Sequence, residues 1–261
     1  MNDVNDILLK DLRDGVLRLT LNRPAVRNAL NEDLIAALTT EFRAIDFRSP
    51  VRVVILSGAG ERAFCSGADL DPESKTFGFD YARPTTAYAD LLRAAHSLAV
   101  PIIGRINGHC MAGGMGLLAF CDMAVAASHA QFGLPETKVG MFPMQVAALL
   151  QAIMPPRKFA EMCITGDPIS AEEALQFGLI NYVVEAAELD AKVDWLTQRI
   201  VGKSPTAIRR GKHALRVIAG MTFDQAVAYM EAQISILPLT QDAAEGLSAF
   251  AEKRPPVWTA S

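Results

Sequence analysis

The chain has 261 residues, 51% of them hydrophobic, which suffices to bury one large core without metals or disulfides. Charged residues make up 21% and the formal net charge is -4, so no overall field draws the chain to nucleic acid or an anionic membrane, and a polyanionic ligand needs a local basic patch. Cys65, Cys110, Cys121 and Cys163 lie far apart with no C-x-x-C pair, which argues against a disulfide framework or a zinc site and for a reducing, cytoplasmic setting.

Residues 1–6 carry no basic segment followed by an apolar one, and no apolar run approaches the roughly 20 residues that span a bilayer, so neither export nor a membrane span is expected. Leu17, Leu19 and Leu21 alternate with Arg18 and Thr20, the pattern of a half-buried strand. Leu30, Leu34, Leu38, Phe42 and Ile45 then recur at helical spacing behind Asn31-Glu32-Asp33, whose side chains cap a helix start and oppose its dipole. Val51 to Ser57 and Val100 to Ile106 are nearly continuous apolar runs, as buried strands are, and Met123 to Ala127 is another. Between them Asp71 to Thr86, rich in Gly, Pro, Phe and Tyr, reads as a surface loop or pocket lid. Strand and helix alternate, which predicts a layered α/β core.

From about Ser170 onward the signals are helical only. Ser170 to Glu173 reads as a capping box with Gly178 as the stop, Ser204-Pro205 as a cap followed by proline, and Thr222 to Gln225 as a second capping box. Phe223, Val227, Met230, Ile234 and Leu237 form one apolar stripe that needs burial, against another subunit or the chain's own core. The organisation expected is a core over residues 1–195 and a helical region over 196–261.

Three segments that could carry chemistry each follow a predicted buried strand. In Ala63-Phe64-Cys65-Ser66-Gly67-Ala68-Asp69-Leu70, Gly67 and Ala68 are small enough for a ligand to reach the main chain, although an ordinary turn capped by Asp69 explains them too. In the glycine-rich run Asn107 to Leu118, amides at a helix start can hold a developing oxyanion, while close helix packing is the structural alternative. In Phe132-Gly133-Leu134-Pro135-Glu136, the carboxylate sits among apolar neighbours that can raise its pKa toward that of a general acid/base; considered alone it reads as a solvated glutamate.

Taken in order, F-C-S-G-A-D, then N-G-x-x-x-x-G-G with a following Cys121-Asp122, then F-G-x-P-E resembles the enoyl-CoA hydratase/isomerase (crotonase) family. The resemblance extends through Leu21-Asn22-Arg23-Pro24 with Asn28-Ala29-Leu30, Thr165-Gly166, Ala174 to Gly178 and Gly246 to Arg254. It implies an α/β fold, a spiral of ββα turns followed by a C-terminal helical trimerisation region, assembled as a homotrimer or dimer of trimers. It implies an acyl-CoA thioester as substrate, with coenzyme A part of that substrate and no separate cofactor, metal, nucleic acid or membrane partner. The N–H groups of Ala68 and Gly113 become oxyanion-hole donors, and Glu136 matches one of the two catalytic glutamates of the hydratases. The other glutamate position, twenty residues earlier, is Gly116.

Further residues enter by the same resemblance as substrate contacts: Ala25 and Arg27 beside the N-R-P loop, Ser66, Asp69 and Leu70 beside the first donor, Gly116 and Met141 toward the acyl group, and Phe250 with Lys253 from a segment that reaches a neighbouring subunit's CoA. Arg27 reads equally as a surface charge, and Phe250 reads as core sooner than as a ligand contact. Met141, Phe142, Pro143 and Met144 stand where many hydratases carry glycines, and are expected to shape the acyl pocket or to pack on the helix that follows. His109 and Cys110 are expected to be structural. The activity expected is hydration of a 2-enoyl-CoA, linear or branched, with Glu136 as acid/base. The alternatives are a Δ3,Δ2-enoyl-CoA isomerase using Glu136 alone, a non-catalytic acyl-CoA binder, and a dinucleotide-binding oxidoreductase, the last because Gly114-Met115-Gly116-Leu117-Leu118-Ala119 fits G-x-G-x-x-[GA].

Overall fold

The structure is a computed structural model that describes residues 7–71, 82 and 84–260. β1 (Leu8–Arg13) and β2 (Val16–Leu21) form an antiparallel pair, and Leu17, Leu19 and Leu21 of β2 are buried as their alternation predicts. Helix α1 (Glu32–Ala44) starts where expected: the Leu34 N–H donates to the Asn31 side chain, and Leu34, Leu38 and Phe42 face the core.

From there each turn of chain lays one strand in each of two sheets. β3 (Val53–Gly58) enters the first sheet and β4 (Ala63–Cys65) the second, and α2 (Ala87–Ser97) follows. β5 (Ile102–Ile106), β6 (His109–Met111) and α3 (Gly113–Ala119) repeat the turn, then β7 (Met123–Ala127), β8 (Gln131–Gly133) and the helices α4 (Met144–Leu150) and α5 (Pro156–Thr165). β9 (Ile169–Ser170), α6 (Ala171–Gln176) and β10 (Tyr182–Val184) complete sheets ordered β1-β2-β3-β5-β7-β10 and β4-β6-β8-β9. The architecture is the expected spiral of ββα turns. β10 corrects the expectation of helix alone beyond Ser170; at three residues it is too short to show a period, as is the two-residue β9.

The large sheet is covered on both faces, which is why its strands read as continuous apolar runs. Val54 and Leu56 of β3 point into the main core, whereas Val53 and Ile55 pack with Leu189, Val193, Leu196 and Ile200 of α7 (Leu189–Val201). The expected division between residues 195 and 196 falls inside this helix.

The C-terminal helices α8 (Pro205–Ile218) and α9 (Phe223–Ile236) carry the predicted caps at Ser204 and Thr222, as α6 does at Ser170, and α10 (Gln241–Glu252) is capped by Thr240. None of α9 is buried: Phe223 is 80% exposed and Ile234 63%. Among the described residues no helix is long and apolar enough to cross a membrane.

Candidate active site

The segment after β4 is held against the chain before α1. The Leu30 N–H donates to the Gly67 carbonyl at 2.8 Å and the Asp69 N–H to the Leu30 carbonyl at 2.9 Å, so Leu30 and Ala68 pair as in a parallel sheet. Both bonds come from the neighbours of Ala68, which turns its own N–H to the opposite side. Ser66 is tied to the same loop, its N–H donating to the Arg27 carbonyl at 3.1 Å and its hydroxyl to the Val26 carbonyl at 3.3 Å.

The segment after β6 comes to meet it. Ala112, with its N–H bonded to the Gly133 carbonyl, adopts φ 50 and ψ -123, a conformation an L side chain rarely takes, and it aims the first amide of α3. A Cβ on Gly67 (φ 97) would lie 2.5 Å from the Ala112 Cβ and 3.1 Å from the Gly113 nitrogen; one on Gly113 would lie 3.7 Å from the Ala68 nitrogen. The Ala68 and Gly113 amides thus flank one narrow space. Neither N–H has a hydrogen-bond partner among the described residues, and Gly113 opens a helix, where the first amides are unpaired. Gly114 serves packing instead: a Cβ there would stand 2.5 Å from the Cys65 carbonyl oxygen. That close fit, together with strands that alternate between two sheets, accounts for the glycines and removes the dinucleotide-binding alternative.

Glu136 sits in a 3₁₀ turn (Pro135–Val139) after β8, closed by Gly140 at φ 76 and by the Met141 N–H donating to its carbonyl at 3.0 Å. Its Oε2 is buried with no hydrogen-bond partner. Burial holds its pKa above the usual carboxylate value, opposed by a hydrogen bond from its own N–H. Its charge in turn raises the pKa of Tyr88 and, after burial, that of Cys163, pushed up to about 11.

Tyr88 of α2 is the residue that sequence reasoning missed. Its hydroxyl donates to the Gly113 carbonyl at 2.5 Å, and a Cβ on Gly116 would run into that oxygen and lie 3.4 Å from Val146 Cγ2 of α4. Burial first, then the thiols of Cys65 and Cys110 and the Glu136 carboxylate, keep the phenol protonated well above its ordinary range. The one available signal was a glycine inside a helix where the family carries a carboxylate.

Two further structural residues are read only from the fold. Buried Asn28, at φ 57, donates from its amide to the carbonyls of Ala59 and Ala63 at 3.0 and 2.9 Å. Arg23 pairs with Asp69 at 2.8 Å, both largely shielded from water, and that bond lowers the Asp69 pKa. Asp69, expected as a substrate contact, is occupied in holding its own loop.

The other expected contacts are scattered. Ala25, Arg27 and Leu70 are exposed, and Met141 is 38% exposed beside the Glu136 turn, with Phe142 and Met144 more so. Arg27 lines a cavity of about 920 Å³ with Arg62, Arg105, His109 and His129, at the starting ends of β4 and β6, whereas the amide pair follows their far ends. His109 Nδ1 is buried and unpartnered there; burial, then His129, Arg27 and Arg62, lower its pKa. Cys110 is a buried thiol whose pKa burial raises, as a core residue's would be. Phe250 is 85% exposed rather than core, and Lys253 ends α10 in a left-handed conformation on the surface. The lid expected over Asp71 to Thr86 lies largely outside the described residues; Thr86 itself caps α2, accepting from Ala89 N. Among the described residues no cluster of His, Cys, Asp and Glu could hold a metal.

The family model described as enoyl-CoA hydratase/isomerase matches residues 11–261. A carnitinyl-CoA dehydratase from Escherichia coli is 36% identical over 255 residues, 94% of this chain and 96% of that protein. An (E)-benzylidenesuccinyl-CoA hydratase from Thauera aromatica is 31% identical over 252 residues, 95% and 97% of the two chains. The crystal structure of an enoyl-CoA hydratase from Mycobacterium smegmatis superposes with a TM-score of 0.88 at 33% identity, covering 97% of this chain and 99% of that one.

Proposed function

The chain belongs to the enoyl-CoA hydratase/isomerase family, and from that premise we propose that it adds water to a 2-enoyl-CoA thioester, with Ala68 and Gly113 as oxyanion donors and Glu136 as the acid/base. The observation that carries this reading is the pair of unpaired amides of Ala68 and Gly113, held close by Gly67, in a chain whose next loop bears a carboxylate with a buried, unpartnered oxygen. Glu136 takes a proton from water as its oxygen bonds to C3, and the C2=C3 electron pair moves toward the thioester oxygen. The two N–H groups hold that oxygen more strongly as its charge grows, which lowers the barrier rather than merely binding substrate. Protonated Glu136 then returns the proton to C2. Its raised pKa suits both halves of the exchange.

The coenzyme A arrives with the substrate, so the reaction requires no resident cofactor or metal. Arg27 and Lys253 are the cations assigned to its phosphates, Lys253 and Phe250 from a neighbouring copy, with Ala25, Ser66 and Leu70 lining the approach and Met141 the acyl end. A homotrimer, or dimer of trimers, built through residues 196–261 supplies that neighbour and covers the apolar face of α9. Four free cysteines agree with a reducing cytoplasm.

Gly116 supports a second reading, double-bond migration between C2 and C4, because one carboxylate suffices to move a proton between those carbons. Crotonyl-CoA, a 3-enoyl-CoA and branched or glutaconyl-type enoyl-CoA thioesters, assayed side by side, separate the two. Water addition is expected to dominate; migration without hydration would establish the isomerase, and binding without turnover of any thioester would establish a non-catalytic binder.

A further inference from the structure

We infer that the Tyr88 hydroxyl holds the attacking water in place of the missing second carboxylate, and that Gly116 is bare because this hydroxyl occupies the space a side chain there would enter. The inference rests on the hydratase reading and deepens it.

A two-carboxylate site grips the water from both sides and moves its proton with either group. Here the carboxylate-bearing side chain at position 116 is replaced by a phenol arriving from a different turn of the spiral. The overlap is direct: a Cβ on Gly116 would run into the Tyr88 oxygen. Neighbouring groups fix that oxygen. Its hydrogen is committed to the Gly113 carbonyl, on the residue whose N–H faces the thioester oxygen. The Val146 side chain closes the other flank of Gly116, and α2 is anchored at Thr86, whose hydroxyl accepts from Gln145 Nε2 of α4 at 2.5 Å. With its hydrogen donated, the phenol oxygen keeps lone pairs to accept a hydrogen bond.

That polarity defines the role. Glu136 accepts the hydrogen of water that is transferred, and Tyr88 accepts the hydrogen that is not. The water oxygen bonds to C3, one proton passes to Glu136 and from there to C2, and the phenol gains and loses nothing. Tyr88 therefore touches the reacting water without titrating. Removing it should weaken water addition and leave the movement of the C2 proton, which needs only the amides and Glu136, in place.

The test uses Tyr88→Phe, which keeps the ring and deletes the oxygen. Expected is a fall of about 10- to 100-fold in kcat for hydration of crotonyl-CoA, with little change in KM, the cost of leaving one water contact unmade. Exchange of the C2 hydrogens of butyryl-CoA in deuterium oxide should stay near the wild-type rate. Unchanged hydration overturns the inference, and so does a parallel fall in both rates, which marks a structural role. A wild-type protein that exchanges C2 hydrogens but hydrates no enoyl-CoA defeats the parent reading instead. The second variant pair addresses the space itself. Gly116→Glu alone should accumulate poorly and melt early, whereas Tyr88→Ala combined with Gly116→Glu should fold and hydrate faster than Tyr88→Ala. A stable, fully active Gly116→Glu with Tyr88 intact would overturn the steric half.

Discussion

Two carboxylates beside the site are shifted in opposite directions, and the difference yields predictions of opposite sign. Burial raises the Glu136 pKa above its ordinary value of 4.5, so between the two values the folded chain binds more protons than the unfolded one. Stability is lost as pH rises through that window and stays lost at neutrality. Glu136→Gln should melt above the wild type at pH 7, and the gap should close on acidification below the ordinary glutamate value; calorimetry across pH reads this. Asp69 is the reverse case. The Arg23 guanidinium lowers its pKa from 3.8, so it stabilises the fold above that value and ceases to as pH falls through the folded one. Asp69→Asn should cost about 1–3 kcal/mol at neutral pH, the range of a hydrogen bond to a charged group, and also lower turnover by loosening the loop that carries Ala68. In activity, the acid limb for hydration should lie above an ordinary glutamate's, because Glu136 must be deprotonated to accept the water proton.

At the scale of elements, α3 and β4 lie so close that a single methyl separates them from failure. Gly114→Ala puts a carbon 2.5 Å from the Cys65 carbonyl, so it should destabilise by about 1–3 kcal/mol and lower kcat far more than KM as Gly113 swings away from Ala68. Denaturant melts with steady-state kinetics check both. This is also where sequence reading reached its limit. The long elements were legible because their residues repeat: β2 alternates, β3, β5 and β7 are nearly continuous apolar runs, and α1, α6, α8 and α9 carry cap signatures. The short strands β6, β8 and β9 have at most three residues and no period to read. The candidate residues Ala68, Gly113 and Glu136 were legible through their motifs. Tyr88 was not, because a tyrosine in an amphipathic helix looks like core until a glycine from another helix is seen against its oxygen. Nor was the Arg23 to Asp69 pair, which joins loops separated by α1, β3 and β4.

For the whole molecule, the spiral places equivalent loops of successive turns side by side. Ala68 follows β4, Gly113 follows β6 and Glu136 follows β8, and these three strands are neighbours or near neighbours in one sheet. The site is therefore as stable as the stacking of turns, while α9 presents Phe223, Val227, Met230 and Ile234 to the outside. Phe223→Glu with Ile234→Glu should abolish the proposed trimer, leaving monomers in sedimentation, and should weaken CoA binding if Phe250 and Lys253 act across subunits. The convergence of the three loops on one carbonyl is tested by incubating crotonyl-CoA with the protein in deuterium oxide and weighing the product. The wild type should yield 3-hydroxyacyl-CoA carrying one deuterium at C2, and Glu136→Gln should slow its formation by about 10²- to 10⁴-fold while still binding the thioester. Undiminished turnover in that variant would contradict the account.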